Sequence, residues 1–303
     1  MGGFSSEREI SLQSGTAVAE ALKSMGHDVV IFDFQSIEEL VGKLQAGCVD
    51  CVFNALHGRF GEDGQVQKIL DGLRIPYTGS GVRASQLAMN KVASRRIFQD
   101  NGLRVPRYQV VHKDDLYPQI NVAEFPVVVK PAHEGSSIGQ SIVDDINALP
   151  SAVESAACFD ETIIVEQYIP GREITVGILD GRPLPVIEVV PKNKFYDFQA
   201  KYTKGMTEYK VPADMPEDVK GKVQGAAIKA HRLLGCRCFS RVDMILDAKN
   251  RPVVLEVNTI PGLTSTSLLP KAAAAVGIGF SQLCSIMVHA AVNKHYAEAL
   301  AES

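Results

Sequence analysis

Two short segments near the end of the chain constrain its fold more than any other feature: Ser240-Arg-Val-Asp-Met-Ile-Leu-Asp247 and Val254-Leu-Glu-Val-Asn-Thr-Ile-Pro-Gly262. Each has the apolar, β-branched content of a strand, and in a strand residues two apart share a face. Arg241 and Asp243 therefore point one way along the first, and Glu256 and Asn258 one way along the second. The stretch Asp247 to Pro252 carries the turn chemistry of a hairpin. A hairpin symmetric about Lys249-Asn250 sets Asp243 opposite Glu256 and Arg241 opposite Asn258. Carboxylates facing each other on one sheet face repel. A hard cation reverses that sign, because Asp, Glu and an Asn carbonyl are the oxygen ligands magnesium accepts.

The 303 residues are enough for two or three domains, each with its own core. A net charge of -4, with no local run of Lys and Arg, argues against a nucleic-acid footprint. No apolar stretch approaches the ~18 residues that suggest a membrane span. The polar run Ser5 to Glu9 lacks a secretory pattern, and six cysteines in a chain of this length do not make a disulfide framework. A reducing cytoplasm is the expected compartment. Cys48-Val-Asp-Cys51 stands alone, without a second pair at zinc spacing, and reads with Cys236 and Cys238 as small buried hydrophobes.

The first third alternates helix and strand. Val18, Leu22 and Met25 form one helix face closed by Gly26, and Val66, Ile69, Leu70 and Leu73 form another. Val29 to Phe34 and Val49 to Ala55 are runs of strand length, so residues 1–82 predict a doubly wound α/β domain with a parallel sheet. A helix from about Arg83 to Asp100 opens a central α+β part, 83–170, with a mostly antiparallel sheet and a helix around Ile146 to Cys158. Residues 171–303 add strands, a helix from about Glu217, the hairpin and an Ala-rich terminal helix after Phe280. Within them, the polar stretch 191–212 has the length and aromatic content of a lid.

Several short motifs could carry chemistry, and each has a plainer alternative. His133-Glu-Gly-Ser-Ser-Ile-Gly139 follows a strand ending in Lys130, a setting for phosphate or for an ordinary hairpin turn. It is not a P-loop, since the Gly-Lys-Ser/Thr ending is absent. Glu166 and Glu173 could accept from an exocyclic amine and from ribose hydroxyls, or lie at a strand end in solvent. Lys201 beside Tyr202 would bring charge and a hydroxyl over a closed site. Glu7 follows a glycine turn where Ser6 could simply cap a helix, and His57 opens what could be a helix-entry loop. Gly79-Ser-Gly81 is too short for a dinucleotide fingerprint, so a nicotinamide enzyme is a poor fit.

In order along nearly the whole chain, GGFSSEREISLQSG, ALHGRFGEDG, YTGSG, Asn90-Lys91, VVVKPAHEGSSIG, FYDFQAKY, RVDMILD and LEVNTIPGLTSTSLLP resemble the ATP-grasp superfamily, and within it the D-alanine–D-alanine ligases. The resemblance implies a three-domain ATP-grasp architecture with Mg-ATP between the central and C-terminal parts. It implies ATP-dependent joining of two D-alanines through a D-alanyl phosphate, for peptidoglycan precursor synthesis, by a homodimer. Lys91, Lys130 and Lys201 match lysines on the phosphates, Glu166 the adenine acid and Glu173 the ribose acid. Asp243, Glu256 and Asn258 match ligands of two magnesium (or manganese) ions. Arg241 and the backbone of Gly262 match groups stabilising the tetrahedral intermediate. Glu7, Ser136 and Tyr202 match a trio closing the lid over the first D-alanine, Ser267 and Leu268 touch the second, and His57 falls near the first. A Tyr at 202 goes with dipeptide synthesis, where Phe or His variants go with depsipeptide ligases that use D-lactate.

One departure stands at the other end. Family members carry an apolar strand into the glycine turn, and here Met1 precedes Gly2-Gly3. A chain extended upstream by about five to eight residues, one strand's length, is expected to be more stable and more active. The competing readings are another ATP-grasp carboxylate–amine ligase and an ATP-binding protein without ligase activity.

Overall fold

The computed structural model describes residues 1–114, 124–135, 137–191 and 207–302. It begins with α1 (Arg8–Ser24), which starts without a side-chain cap. Ser6, expected in that role, does not fill it: the Ser5 hydroxyl instead accepts the Glu7 N–H at 3.2 Å. α2 (Ile37–Ala46) and α3 (Gln65–Gly72) complete the N-terminal helices, with a core of Phe34, Leu40, Leu44, Leu56, Leu70 and Tyr77. The parallel pairing predicted here occurs only as isolated bridges, Gly2 with Phe34 and Val52 with Tyr77. The runs at 29–34 and 49–55 are extended but do not form a continuous ladder.

The single helix expected over 83–100 is two, α4 (Val82–Met89) and α5 (Lys91–Asp100). Asn90 between them has left the helical region, and its side chain accepts the Ala93 N–H at 2.9 Å. This restart sets Lys91 at the first turn of α5, where its N–H donates to the Ala132 carbonyl at 3.1 Å. Ala84, Ala88 and Phe98 of this pair pack with the C-terminal sheet.

The central sheet comprises β1 (Tyr108–His112), β2 (Val127–Pro131), β3 (Ser141–Val143) and, after α6 (Leu149–Ala157), β4 (Thr162–Gln167). Its order is β1-β4-β2-β3, antiparallel throughout, as expected. The larger sheet holds β5 (Gly171–Leu179), β6 (Arg182–Pro183), β7 (Ile187–Pro191), β8 (Thr207–Lys210), β9 (Phe239–Asp247) and β10 (Pro252–Asn258). Its path is β10-β9-β5-β7-β8, with β6 beside β5. One face packs against α7 (Glu217–Leu233), and the other against α8 (Leu268–Ala274), α9 (Phe280–Glu302) and α1. Among the described residues no helix is long and apolar enough to cross a membrane.

Candidate active site

The hairpin β9–β10 forms with the predicted partners: Asp243 lies opposite Glu256 and Arg241 opposite Asn258. The route differs from a symmetric turn. Near the turn Leu246 pairs with Pro252 and Met244 with Val254, and a bulge at Leu255 shifts the register before Glu256. A bulge sets two residues against one and re-aims the side chains beside it. Here Leu255 and Glu256 both line the same cavity, an apolar wall next to a carboxylate. β5 continues the row on the other side, with Thr175 opposite Asp243 and Gly177 opposite Arg241.

Repulsion between the two carboxylates is relieved by neighbours. Arg241 donates to both Asp243 oxygens, Nε to Oδ1 at 2.8 Å and Nη2 to Oδ2 at 2.6 Å. The Thr175 hydroxyl donates to Oδ1 at 2.7 Å and the Asn258 amide to Oδ2 at 2.9 Å. Glu256 lies 3.5 Å from the Lys91 ammonium. Two carboxylates and an amide suit a magnesium ion whose remaining ligands are phosphate oxygens. They do not suit a self-contained metal cage: among the described residues, no three His, Cys, Asp or Glu side chains are grouped to hold an ion.

Two cavities meet at this floor. The first, about 120 Å³, is lined by Lys91, Lys130, Glu166, Glu173, Asp243 and Glu256, together with the strand-edge residues Gln167 to Ile169. The second, about 300 Å³, is lined by Glu7, His57, Arg241, Asn258, Gly262, Ser267 and Leu268, and again by Glu256. Every described residue singled out from the sequence as a site residue thus falls in one cavity or the other. Ser136, Lys201 and Tyr202 lie outside the described residues.

In the first cavity, Glu166 is not a strand-end acid in solvent: it is 4% exposed. Lys130 donates to its Oε1 at 2.9 Å, and Arg95, wholly buried, is ion-paired with it. Burial alone would push the Glu166 carboxyl up, but the Arg95 and Lys130 charges outweigh it and hold the carboxyl below its usual range. Burial likewise pushes the Lys130 ammonium down, to about 8, against the raising effect of Glu166. Arg95 was not anticipated, although it stands four residues after Lys91 and so on the same helix face. Thr175 was hidden in the apolar run of β5. The loop after β2 is tied down by Lys91, which donates to the Glu134 carbonyl, and by Arg59, 2.9 Å from the Glu134 carboxylate.

In the second cavity Glu7 is buried between glycines. A Cβ on Gly58, whose φ is +71°, would stand 2.7 Å from Glu7 Oε2, and one on Gly135 would stand 3.6 Å away. His57 has both ring nitrogens engaged, Nε2 with Ser14 Oγ at 3.0 Å and Nδ1 with Glu62 Oε1 at 3.2 Å. Its place is structural, bracing the loop beside Glu7. The Ser267 hydroxyl accepts the Thr264 N–H at 3.1 Å, and a Cβ on Gly262 would approach that hydroxyl to 3.1 Å. The backbone of Gly262 therefore opens to the cavity.

The cysteines stay outside both cavities and are free thiols. Cys236 and Cys238 are buried as expected, but Cys48 is exposed rather than buried. Burial pushes the Cys51 thiol up to about 12, away from metal or redox use.

Comparisons with known proteins agree with this geometry. Residues 97–289 match the family described as D-ala D-ala ligase C-terminus, and residues 33–80 match its N-terminus. The D-alanine–D-alanine ligase of Syntrophotalea carbinolica is 48% identical over 93% of this chain and 92% of its own. That of Anaeromyxobacter sp. strain K is 47% identical over 97% and 96%. Among solved structures, the Bacillus anthracis D-alanine–D-alanine ligase complexed with ATP superposes with a TM-score of 0.87 at 33% identity, covering 98% of this chain and 97% of that one. Sequence, fold and the paired cavities point the same way, and the chain belongs to the D-alanine–D-alanine ligases, an ATP-grasp family.

Proposed function

We propose that the chain joins two molecules of D-alanine at the expense of ATP, and that Glu256, the wall common to both cavities, is where phosphoryl transfer meets peptide-bond formation. The observation that carries this reading is that shared wall, with Asp243 in one cavity and Arg241 and Asn258 in the other. Glu166, Lys130 and Gln167 to Ile169 hold the adenine end of the nucleotide, and Glu173 takes the ribose. Lys130 lies so near Glu166 that it serves the base and the adjoining phosphate, leaving Lys91 for phosphates nearer the floor. Bound to Asp243, Glu256 and Asn258, two magnesium or manganese ions supply charge neutralisation on the transferring phosphoryl group.

A carboxylate is a poor acyl donor until it is phosphorylated. Glu7 holds the ammonium of the first D-alanine so that its carboxylate faces the floor, and attack there on the γ-phosphoryl gives an acyl phosphate. The second D-alanine sits near Ser267 and Leu268, and its amine attacks the acyl carbon. Arg241 and the Gly262 N–H face the developing oxyanion. Ser136, Lys201 and Tyr202 belong to the closing lid in this reading, and lid closure keeps water from the acyl phosphate. Tyr202 favours an amine acceptor over D-lactate. A cytoplasmic homodimer made of an N-terminal unit 1–82, a central unit 83–170 and a C-terminal unit 171–303 completes the proposal, supported by the family resemblance.

Phosphate release from Mg-ATP is the direct test. D-alanine should elicit it, while glycine, L-alanine and D-lactate should not approach the same rate. Release that ignores the amino acid, or that D-lactate supports as well as D-alanine across pH 6–9 (roughly the range of amine deprotonation), would contradict the assignment.

A further inference from the structure

A groove of about 330 Å³ lies between the extended segments 28–34 and 49–55, apart from both active-site cavities. One wall is α1, through Gly15, Val18 and Ala19, and the other is α2 and α3, through Leu40, Leu44 and Leu70. Between two such helix layers a doubly wound domain carries its sheet. On one bank, Val52 turns its N–H to Pro76 and its C=O to Thr78, on the side away from the groove. Alternation along an extended chain then turns the backbone groups of Cys51 and Phe53 into the groove. On the other bank a parallel ladder has begun. The Met1 ammonium donates to the Phe32 carbonyl at 2.9 Å, and the Gly3 N–H to the Phe34 carbonyl at 3.0 Å. Each step advances two residues on both sides, the period of parallel pairing. Carried backward, that period reaches the carbonyls of Val30 and Asp28, and Val30 is 66% exposed.

The exit from the groove is already set. Gly2 N–H donates to Ser11 Oγ at 2.9 Å, and Ser11 Oγ donates to the Ala55 carbonyl at 2.8 Å, so α1 links the two banks just past Met1. The Met1 side chain lies against Gly15, where a Cβ would approach it to 2.5 Å. Burial of the Met1 ammonium pushes its pKa down to about 6, so a charge is poorly housed at a point where a peptide N–H would continue the ladder.

We propose that this groove is the acceptor for one parallel β-strand, and that its occupant is an extended apolar segment continuous with Met1. Alternate N–H groups of that segment reach Val30 and Asp28, and the others face Cys51 and Phe53. Covered by helices on both sides, the strand is apolar along its whole length rather than alternating. It runs directly into the Gly2-Gly3 turn and so fixes the start of the helix behind Glu7.

The test adds about six residues before Met1, Val- and Ile-rich in one version and Gly-Ser in the other, and compares both with the chain itself. The apolar version should melt ~5 °C or more above the other two. Amide hydrogen exchange at Cys51 and Phe53 should slow only in that version. Proline at either of two adjacent positions in the added segment should abolish the gain, because both edges of the strand are paired; an edge strand would tolerate one of them. Equal melting of the apolar and Gly-Ser versions, a gain without protection at Cys51 and Phe53, or tolerance of one proline would each overturn the proposal. Melting and exchange are read without ATP or D-alanine, so the outcome is independent of the ligase reading.

Discussion

At the scale of single residues, the site is a set of charges that neutralise one another until substrate arrives. Arg241 holds Asp243 with two hydrogen bonds, 2.8 and 2.6 Å, while facing the cavity assigned to the amino acids. Arg241→Ala should lower kcat about 10²–10³-fold, the cost of losing one oxyanion donor. It also exposes Asp243 to Glu256, so added magnesium should raise the melting temperature of the variant more than that of the parent. Near-normal turnover would remove Arg241 from its role. Lys130 yields a pH dependence. Buried, it releases its proton near pH 8 instead of the ordinary 10.5. The unfolded chain therefore holds that proton to higher pH, and the burial penalty, present below about pH 8, is relieved as pH rises toward 10.5. A phosphate beside Lys130 favours the charged form and reverses this. ATP binding at roughly pH 9 should take up a proton, seen as a buffer-dependent heat by calorimetry, and affinity should fall as pH rises through 8. A buffer-independent heat there would place Lys130 away from the phosphates.

At the scale of elements, the hairpin and the loops that frame Glu7 do the positioning. Gly58 has a φ of +71°, and its missing Cβ leaves room for Glu7 Oε2. Gly58→Ala strains that turn and displaces the carboxylate, so kcat/KM for D-alanine should fall roughly 10- to 100-fold while ATP affinity holds. An equal loss in both would mean that the loop supports the fold rather than Glu7. The hairpin shows how much was legible beforehand. Strand periodicity and turn residues sufficed to pair Asp243 with Glu256 and Arg241 with Asn258. The bulge at Leu255 was not legible, because an extra apolar residue in an apolar strand leaves no mark on the pattern. Arg95 was missed for a related reason. One buried guanidinium in a polar helix looks like a solvated charge until its partner, Glu166 on another sheet, is placed against it. The restart at Asn90 was readable in principle, since Asn before Lys91 is a capping residue.

At the scale of the whole molecule, two sheets and their helices bring residues from 7 to 268 around one floor. The fold class was legible because the motifs keep their order along nearly the whole chain. The parallel sheet of the first third was legible only as segments: 29–34 and 49–55 have strand composition, yet pairing depends on what lies between them, and there the structure has a groove. No local signal reports such a gap. The sharing of Glu256 by two cavities is likewise a product of tertiary structure, because strand periodicity places the side chain on a face but not on a boundary. That boundary is the basis of the proposed chemistry, and it can be tested by stoichiometry. D-alanyl-D-alanine and phosphate should be measured in the same samples as D-alanine is raised from zero, in the parent chain and in Glu256→Gln. One dipeptide per phosphate in the parent, with both products lost together in the variant, is the expected result. Phosphate released without dipeptide, or a variant that keeps one product and loses the other, would contradict a single floor serving both steps.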